Sequence, residues 1–156
     1  MSETPRRYLL DLHLAYHLAG SLIEHELVGA GISAEEYAVY SVLGQETGLT
    51  PTELSRRLGF ALSSTIFRSG KLIERGHARR IPNPRDRRST LIELTPSGRR
   101  VLERARPAFG RVLDRIESHL EVERPEVQTA VSKLGEAVAA ALAEAQDEAL
   151  LQRKAS

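Results

Sequence analysis

The sequence predicts a mostly α chain with one small β-hairpin. Three observations carry that prediction. Helix-start chemistry recurs along the 156 residues, as Ser33-Ala34-Glu35-Glu36, Thr50-Pro51-Thr52-Glu53 and Thr95-Pro96. Apolar residues fall at helical spacing both before residue 76 and after residue 95. The period changes only after Gly76, where two short β-like runs flank Pro82-Asn83-Pro84-Arg85-Asp86-Arg87-Arg88, a turn rather than a sheet interior.

Taken in order, Met1 to Pro5 is expected to fray. From Arg6 to about Val28 the apolar residues, among them Leu9, Leu10, Leu14, Leu18, Leu22 and Leu27, spread over more than one helix face. A helix that is apolar on several sides must be buried on several sides, and a partner subunit is the simplest cover in a chain this size. Gly29 and Gly31 stop it. Ser33 then opens a helix carrying Tyr37, Tyr40 and Leu43, ended by Gly44 and Gly48. Thr50 opens the next, with Leu54 and Leu58 on one face and Gly59 at its end. Ser63 or Ser64 can start a following helix that runs to Gly76. Two helices joined by a short turn make a helix-turn-helix, whose second helix fits the major groove of DNA.

His77 to Ile81 and Ser89 to Leu94 read as the two strands of a wing tipped by three arginines around one aspartate. Thr95-Pro96 restarts a helix toward His119 or Leu120. Pro107 lies inside it, which predicts a kink or break near Arg104 to Pro107. Pro125 opens the last helix, where Val127, Val131, Leu134, Val138, Ala141, Leu142 and Ala145 mark one apolar stripe. The resulting layout is a winged helix-turn-helix DNA-binding region over residues 33–95 and a helical dimerisation region formed by 6–30 and 96–150.

The formal net charge of +1 conceals a segregation. Arg68 to Arg100 holds ten basic and three acidic residues, net +7, whereas Glu121 to Leu150 holds seven acidic and two basic, net −5. One face turned toward a polyanion and another kept from it fits that pattern. The plainer reading of a charge run is a solvated surface, but here the basic run coincides with the wing. The absence of cysteine excludes disulfides, thiolate zinc sites and cysteine-based redox sensing. No signal-peptide core or long uncharged apolar stretch is present, so a cytoplasmic protein without membrane contact is expected.

The helix-turn-helix, Glu74-Arg75-Gly76, Asp86-Arg87-Arg88 and Leu91-Ile92-Glu93-Leu94-Thr95-Pro96-Ser97-Gly98 together resemble the MarR family of bacterial transcription regulators. The specific part is Asp-x-Arg followed by an apolar strand and Leu-Thr-x-x-Gly. The resemblance implies a homodimer with two winged lobes, the helix from Ser63 to Arg75 in the major groove, Arg88 in the minor groove and Asp86 bracing the wing. It also implies an effector cavity between the dimer helices and each lobe, suited to small aromatic or anionic molecules. The chain departs from the usual pattern by placing Arg68, Ser69 and Gly70 in mid-helix.

Candidate DNA contacts on that helix are Ser63, Ser64, Thr65, Arg68, Ser69 and Lys71, with Arg68 suited to guanine. On the wing they are Arg85, Asp86, Arg87 and Arg88; Arg56 on the preceding helix suits phosphate. Candidate effector contacts are His13, Tyr16, His17, Tyr37 and Tyr40, whose plainer reading is core or interface packing. His13 and His17, four residues apart, share a face that can hold a metal, but two amphipathic side chains at an interface explain them better. No metal or cofactor is assigned. A Gly-rich phosphate loop, a nucleophile elbow and a convincingly spaced acid pair are all missing, so the chain is not read as an enzyme. The expected function is a homodimeric regulator of double-stranded DNA, a repressor of a pseudo-palindromic operator that a small effector releases. The alternative is a dimeric scaffold, or a metal-responsive regulator, whose winged lobe binds protein.

Overall fold

The computed structural model describes the backbone of residues 7–155 and the side chains of 7–148 and 152. The expected fraying of Met1 to Pro5 lies outside these residues. The chain divides into two compact units between Asp114 and Arg115.

The first unit begins with α1 (Tyr8–Leu27), which runs into a 3-10 turn over Val28–Ala30. Gly31 ends the turn at φ +69°, a backbone that favours glycine. Only the end of α1 reaches the core, through Leu27 and the half-buried Ile23. Its first eleven residues expose Tyr8, Leu9, Leu10, Leu14, Tyr16 and Leu18. α2 (Ala34–Gln45) opens with the expected capping box: Ser33 Oγ accepts from Glu36 N, and Glu36 accepts from Ser33 N. Glu24 of α1 adds a further cap by accepting from Ala34 N at 2.7 Å. Gly44 lies inside α2 rather than ending it, and it makes room for α5: a Cβ there would meet the Leu102 side chain at 2.5 Å.

α3 (Pro51–Leu58) starts at the Thr50–Glu53 box and stops at Gly59, φ +66°. α4 (Leu62–Glu74) follows after a short turn. Its N-cap is Ala61, with no side-chain cap, so neither Ser63 nor Ser64 opens it. β1 (Ala78–Pro82) and β2 (Thr90–Leu94) pair antiparallel, from Ala78 opposite Leu94 to Pro82 opposite Thr90. Leu49 adds a bridge to Ile92, with N–H donated each way at 3.1 and 2.8 Å. The loop before α3 is thereby tied to the hairpin.

The junction from β2 into α5 (Pro96–Glu117) explains the Leu-Thr-x-x-Gly pattern residue by residue. Leu94 is buried in the core. Thr95 Oγ1 donates to Gly76 O at 2.8 Å and accepts from Gly98 N at 3.2 Å, so it caps α5 and ties it to the end of α4. Gly98 packs so closely on His77 that a Cβ would lie 1.9 Å from that carbonyl oxygen. Of the kink or break predicted near Pro107, a break is not found, since α5 continues through it to Glu117. Pro107 is exposed, so the carbonyl it leaves without an N–H partner sits on the wet side of the helix. Val101, Leu102, Ala105 and Ala108 form the buried stripe of α5.

The second unit carries the end of α5 and the long α6 (Arg124–Ala155). The predicted stripe of α6 is largely uncovered, with Val131, Val138 and Leu142 exposed. Among the described residues no helix is long and apolar enough to cross a membrane.

Candidate nucleic-acid interface

The two faces of α4 are sharply divided. Thr65, Ser69 and Leu72 point inward and are buried, with Leu72 in the same core cluster as Leu54 of α3. Both hydroxyls turn back onto their own helix: Thr65 Oγ1 donates to Ala61 O at 3.2 Å, and Ser69 Oγ to Thr65 O at 2.8 Å. Such back-bonding lets a polar side chain occupy a buried position. Thr65 and Ser69 therefore do not reach a ligand on the outer face, contrary to the sequence expectation.

Arg68 is also held against the body of the lobe. Its guanidinium binds Glu35 of α2, with Nε donating to Oε2 at 3.0 Å, and it lies 5.1 Å from the centre of the Phe60 ring. The side chain is only 21% exposed. As placed it is a strut between α2 and α4 rather than a reader of guanine.

The outward face comprises Ser63, Ile66, Phe67, Gly70 and Lys71, with Leu62 at its start and Ser64 half-buried at its flank. Lys71 Nζ sits 4.5 Å from the Phe67 ring centre. Ile66 and Phe67 were absent from the candidates read in the sequence. With Thr65, Ser69 and Leu72 as the inner row of a 3.6-residue period, Phe67 falls opposite it and Ile66 on its flank. On α3, Arg56 is exposed, whereas Arg57 pairs with Glu46.

The wing turn is braced by its own polar side chains. Asn83 Nδ2 donates to Ser89 Oγ at 2.8 Å, and Asn83 Oδ1 accepts from Arg85 N at 3.0 Å. Asp86 Oδ1 accepts from Arg88 N at 2.9 Å. The carboxylate thus spends itself on the backbone, in an Asx turn, and is a bracing rather than a contacting group. Arg85, Arg87 and Arg88 are all exposed.

Pairing separates the ten basic residues of the +7 stretch. Arg68, Arg75 and Arg79 are matched with Glu35, Glu36 and Glu93. Lys71, Arg80, Arg85, Arg87, Arg88, Arg99 and Arg100 have no carboxylate partner among the described residues. The excess charge is therefore displayed from the outer flank of α4, the wing and the start of α5.

The five candidate effector residues do not form one pocket. His13, Tyr16 and His17 make a chain of edge-on ring contacts on exposed turns of α1, with centroids 4.5 and 5.5 Å apart. Tyr37 stacks on Phe109 of α5 at 4.6 Å. Tyr40 is fully buried, and its hydroxyl lies 2.7 Å from His77 Nδ1. Burial pushes the Tyr40 hydroxyl above its ordinary pKa and holds His77 below the ordinary histidine value. A cavity of about 320 Å³ lies elsewhere in the first unit, walled by Glu26, Ala30, Arg104, Pro107, Ala108 and Arg111. Among the described residues no three His, Cys, Asp or Glu side chains gather as metal ligands would.

No family model matches the sequence. The multiple antibiotic resistance protein MarR of Escherichia coli is 26% identical over 102 residues, which cover 65% of this chain and 71% of that protein. The transcriptional activatory protein BadR of Rhodopseudomonas palustris is 32% identical over 91 residues, covering 53% of this chain and 52% of BadR. Among solved structures, the M. tuberculosis transcriptional regulator MOSR in complex with DNA superposes with a TM-score of 0.74 at 22% identity, covering 85% of this chain and 96% of that one. Over part of its length the chain is thus similar in sequence to the regulators MarR and BadR, and it shares the winged fold of MOSR.

Proposed function

We propose that the chain is a homodimeric repressor that binds a pseudo-palindromic operator through its wing and the outer face of α4. The observation that carries the reading is the set of Arg85, Arg87 and Arg88, exposed and without carboxylate partners among the described residues, on a turn braced by hydrogen bonds of its own side chains. Three guanidinium groups on one turn repel one another, and a polyanion relieves that repulsion. MOSR, which shares the fold, has been solved with DNA bound. The dimer is supported by the apolar residues that α1 and α6 leave exposed, which a second copy would cover. Two lobes would then meet half-sites about 10 base pairs apart.

The test is fluorescence anisotropy on an operator selected from random duplexes. Arg88→Ala is expected to weaken binding about tenfold and to lower the dependence of affinity on salt by about one counterion, with dimer and melting temperature unchanged. Unchanged affinity and salt slope would remove the wing from the interface. Binding without salt dependence would favour a protein-binding scaffold instead.

Release by an effector is the second half of the proposal. The 320 Å³ cavity offers apolar Ala30, Pro107 and Ala108 beside the cationic Arg104, a combination suited to a small aromatic anion. Arg111 is already paired with Glu26 at 2.8 Å, so Arg104 supplies the available charge. Aromatic carboxylates titrated into the operator complex should displace DNA from the parent protein and not from Arg104→Ala. Equal displacement from both, or from neither, rejects this cavity.

A further inference from the structure

We propose that α4 reads thymine through its 5-methyl groups, with Phe67, Ile66 and Leu62 as the reading side chains. The inference rests on the DNA-binding role above and assigns the chemistry of its specificity. A helix that enters the major groove meets base edges carrying donors, acceptors and, at thymine alone, a methyl group. Three of the polar residues first expected to read those edges, Thr65, Arg68 and Ser69, are turned away from the surface that would face them. Thr65 and Ser69 are buried with their hydroxyls bonded to the helix backbone, and Arg68 is bound to Glu35.

Beside Ser63 and Lys71, the outer face presents large apolar side chains. Phe67 is 61% exposed, Ile66 45% and Leu62 44%. Leu62 and Ile66 are one turn apart, as are Ile66 and Gly70, where an added Cβ would meet nothing within 4 Å. The backbone of α4 is therefore bare beside Ile66 and Phe67, so a flat partner can approach closely. Ser63 lies beside them on the same face.

Charge identifies the partner. Lys71 overhangs the Phe67 ring, and the unpaired arginines of the wing belong to the same compact unit. An apolar strip set among unpaired cations matches a methyl-bearing base edge between phosphate rows. Three side chains also fall well short of the roughly 800 Å² per partner that a standard protein interface buries.

The experiment starts with operators selected from a random duplex pool by the intact protein. Each thymine of the recovered half-site is then replaced by deoxyuridine, which removes the methyl group and leaves the hydrogen-bonding edge in place. Affinity is read by anisotropy across a range of salt. At one or two positions per half-site the loss should be about fourfold, the worth of one buried methyl group. Phe67→Ala or Ile66→Ala should abolish the discrimination at its own position without altering the salt slope. If every deoxyuridine duplex binds as tightly as its parent while binding still falls steeply with salt, the methyl reading is overturned and the DNA-binding role stands. Discrimination retained by Phe67→Ala, Ile66→Ala and Leu62→Ala alike overturns it as well. If no duplex shows salt-dependent binding, both fall together. The deoxyuridine series on the parent protein tests the methyl contact even where a variant folds poorly.

Discussion

The inner and outer faces of the winged lobe use the same residue types to opposite ends. Gly98 is required inside, because a Cβ would strike the His77 carbonyl at 1.9 Å, while Gly70 lies outside with open space around it. Arg75 is matched with Glu36 at 2.9 Å, whereas Arg88 has no carboxylate partner among the described residues. Leu72 is wholly buried and Phe67 is mostly exposed, although both belong to α4. On the inner face each potentially costly choice is compensated by a neighbour in the same chain. On the outer face a mid-helix glycine and three arginines find no such compensation among the described residues. Costs left uncompensated within a chain point to a partner outside it.

The inner face should break at Gly98. In Gly98→Ala the new methyl group meets a backbone carbonyl that already accepts from Thr95 N at 3.0 Å. Neither β1 nor the start of α5 can withdraw without losing that bond. A loss of about 3 kcal/mol in unfolding free energy is expected, at the upper end of overpacking costs. Chemical denaturation measures it, and a loss below about 0.5 kcal/mol, the scale of a neutral surface change, would show that the junction yields easily.

Gly70→Ala should give the opposite sign. No atom obstructs the new Cβ, so the helix should gain about 1 kcal/mol in stability. The same methyl group would stand on the face proposed to enter the groove, and operator affinity should fall. A variant that melts higher and binds DNA more weakly sharpens the division between the faces. One that melts higher and binds equally well removes Gly70, and the strip beside it, from the interface.

Legibility in the sequence followed the range of the interactions. The Ser33 and Thr50 boxes, the stops at Gly31 and Gly59, and the wing turn were readable because each is settled within about five residues. The apolar excess of α1 was readable too, as surface that one chain does not bury. The phase of α4 was not, because hydroxyls at 65 and 69 look solvent-directed until their bonds to Ala61 and Thr65 are seen. The role of Arg68 was hidden in Glu35, 33 residues away. Pro107 promised a break that its exposed side of α5 makes unnecessary. The five expected effector residues share aromatic character but not a location, which spacing along a chain does not reveal.

The smallest expected effect concerns pH and again separates the two faces. His77 joins α4 to β1, and its Nδ1 meets the buried Tyr40 hydroxyl. Burial is the first cause holding its pKa below the ordinary 6.5; the charges of Arg75 and Arg104 push the same way and Glu36 opposes them. A depressed value means that the unfolded chain takes up the proton first as pH falls. The contribution of His77 to stability is therefore complete above 6.5 and is lost as pH drops through its folded value. Glu53 follows the same sign in a lower window, its carboxyl held below 4.5 chiefly by the hydrogen bonds from Thr50. The melting temperature should accordingly decline as pH falls below about 6.5, and His77→Gln should flatten that decline while leaving the fall below about pH 4.5 in place. The outer face of α4 and the wing tip carry no histidine, so the salt slope of operator binding should stay constant over the upper window. A parent profile already flat between about pH 6.5 and the onset of the acid fall near pH 4.5 would mean that His77 accepts its proton within the folded lobe at no cost, and that the Tyr40 contact tolerates a charge.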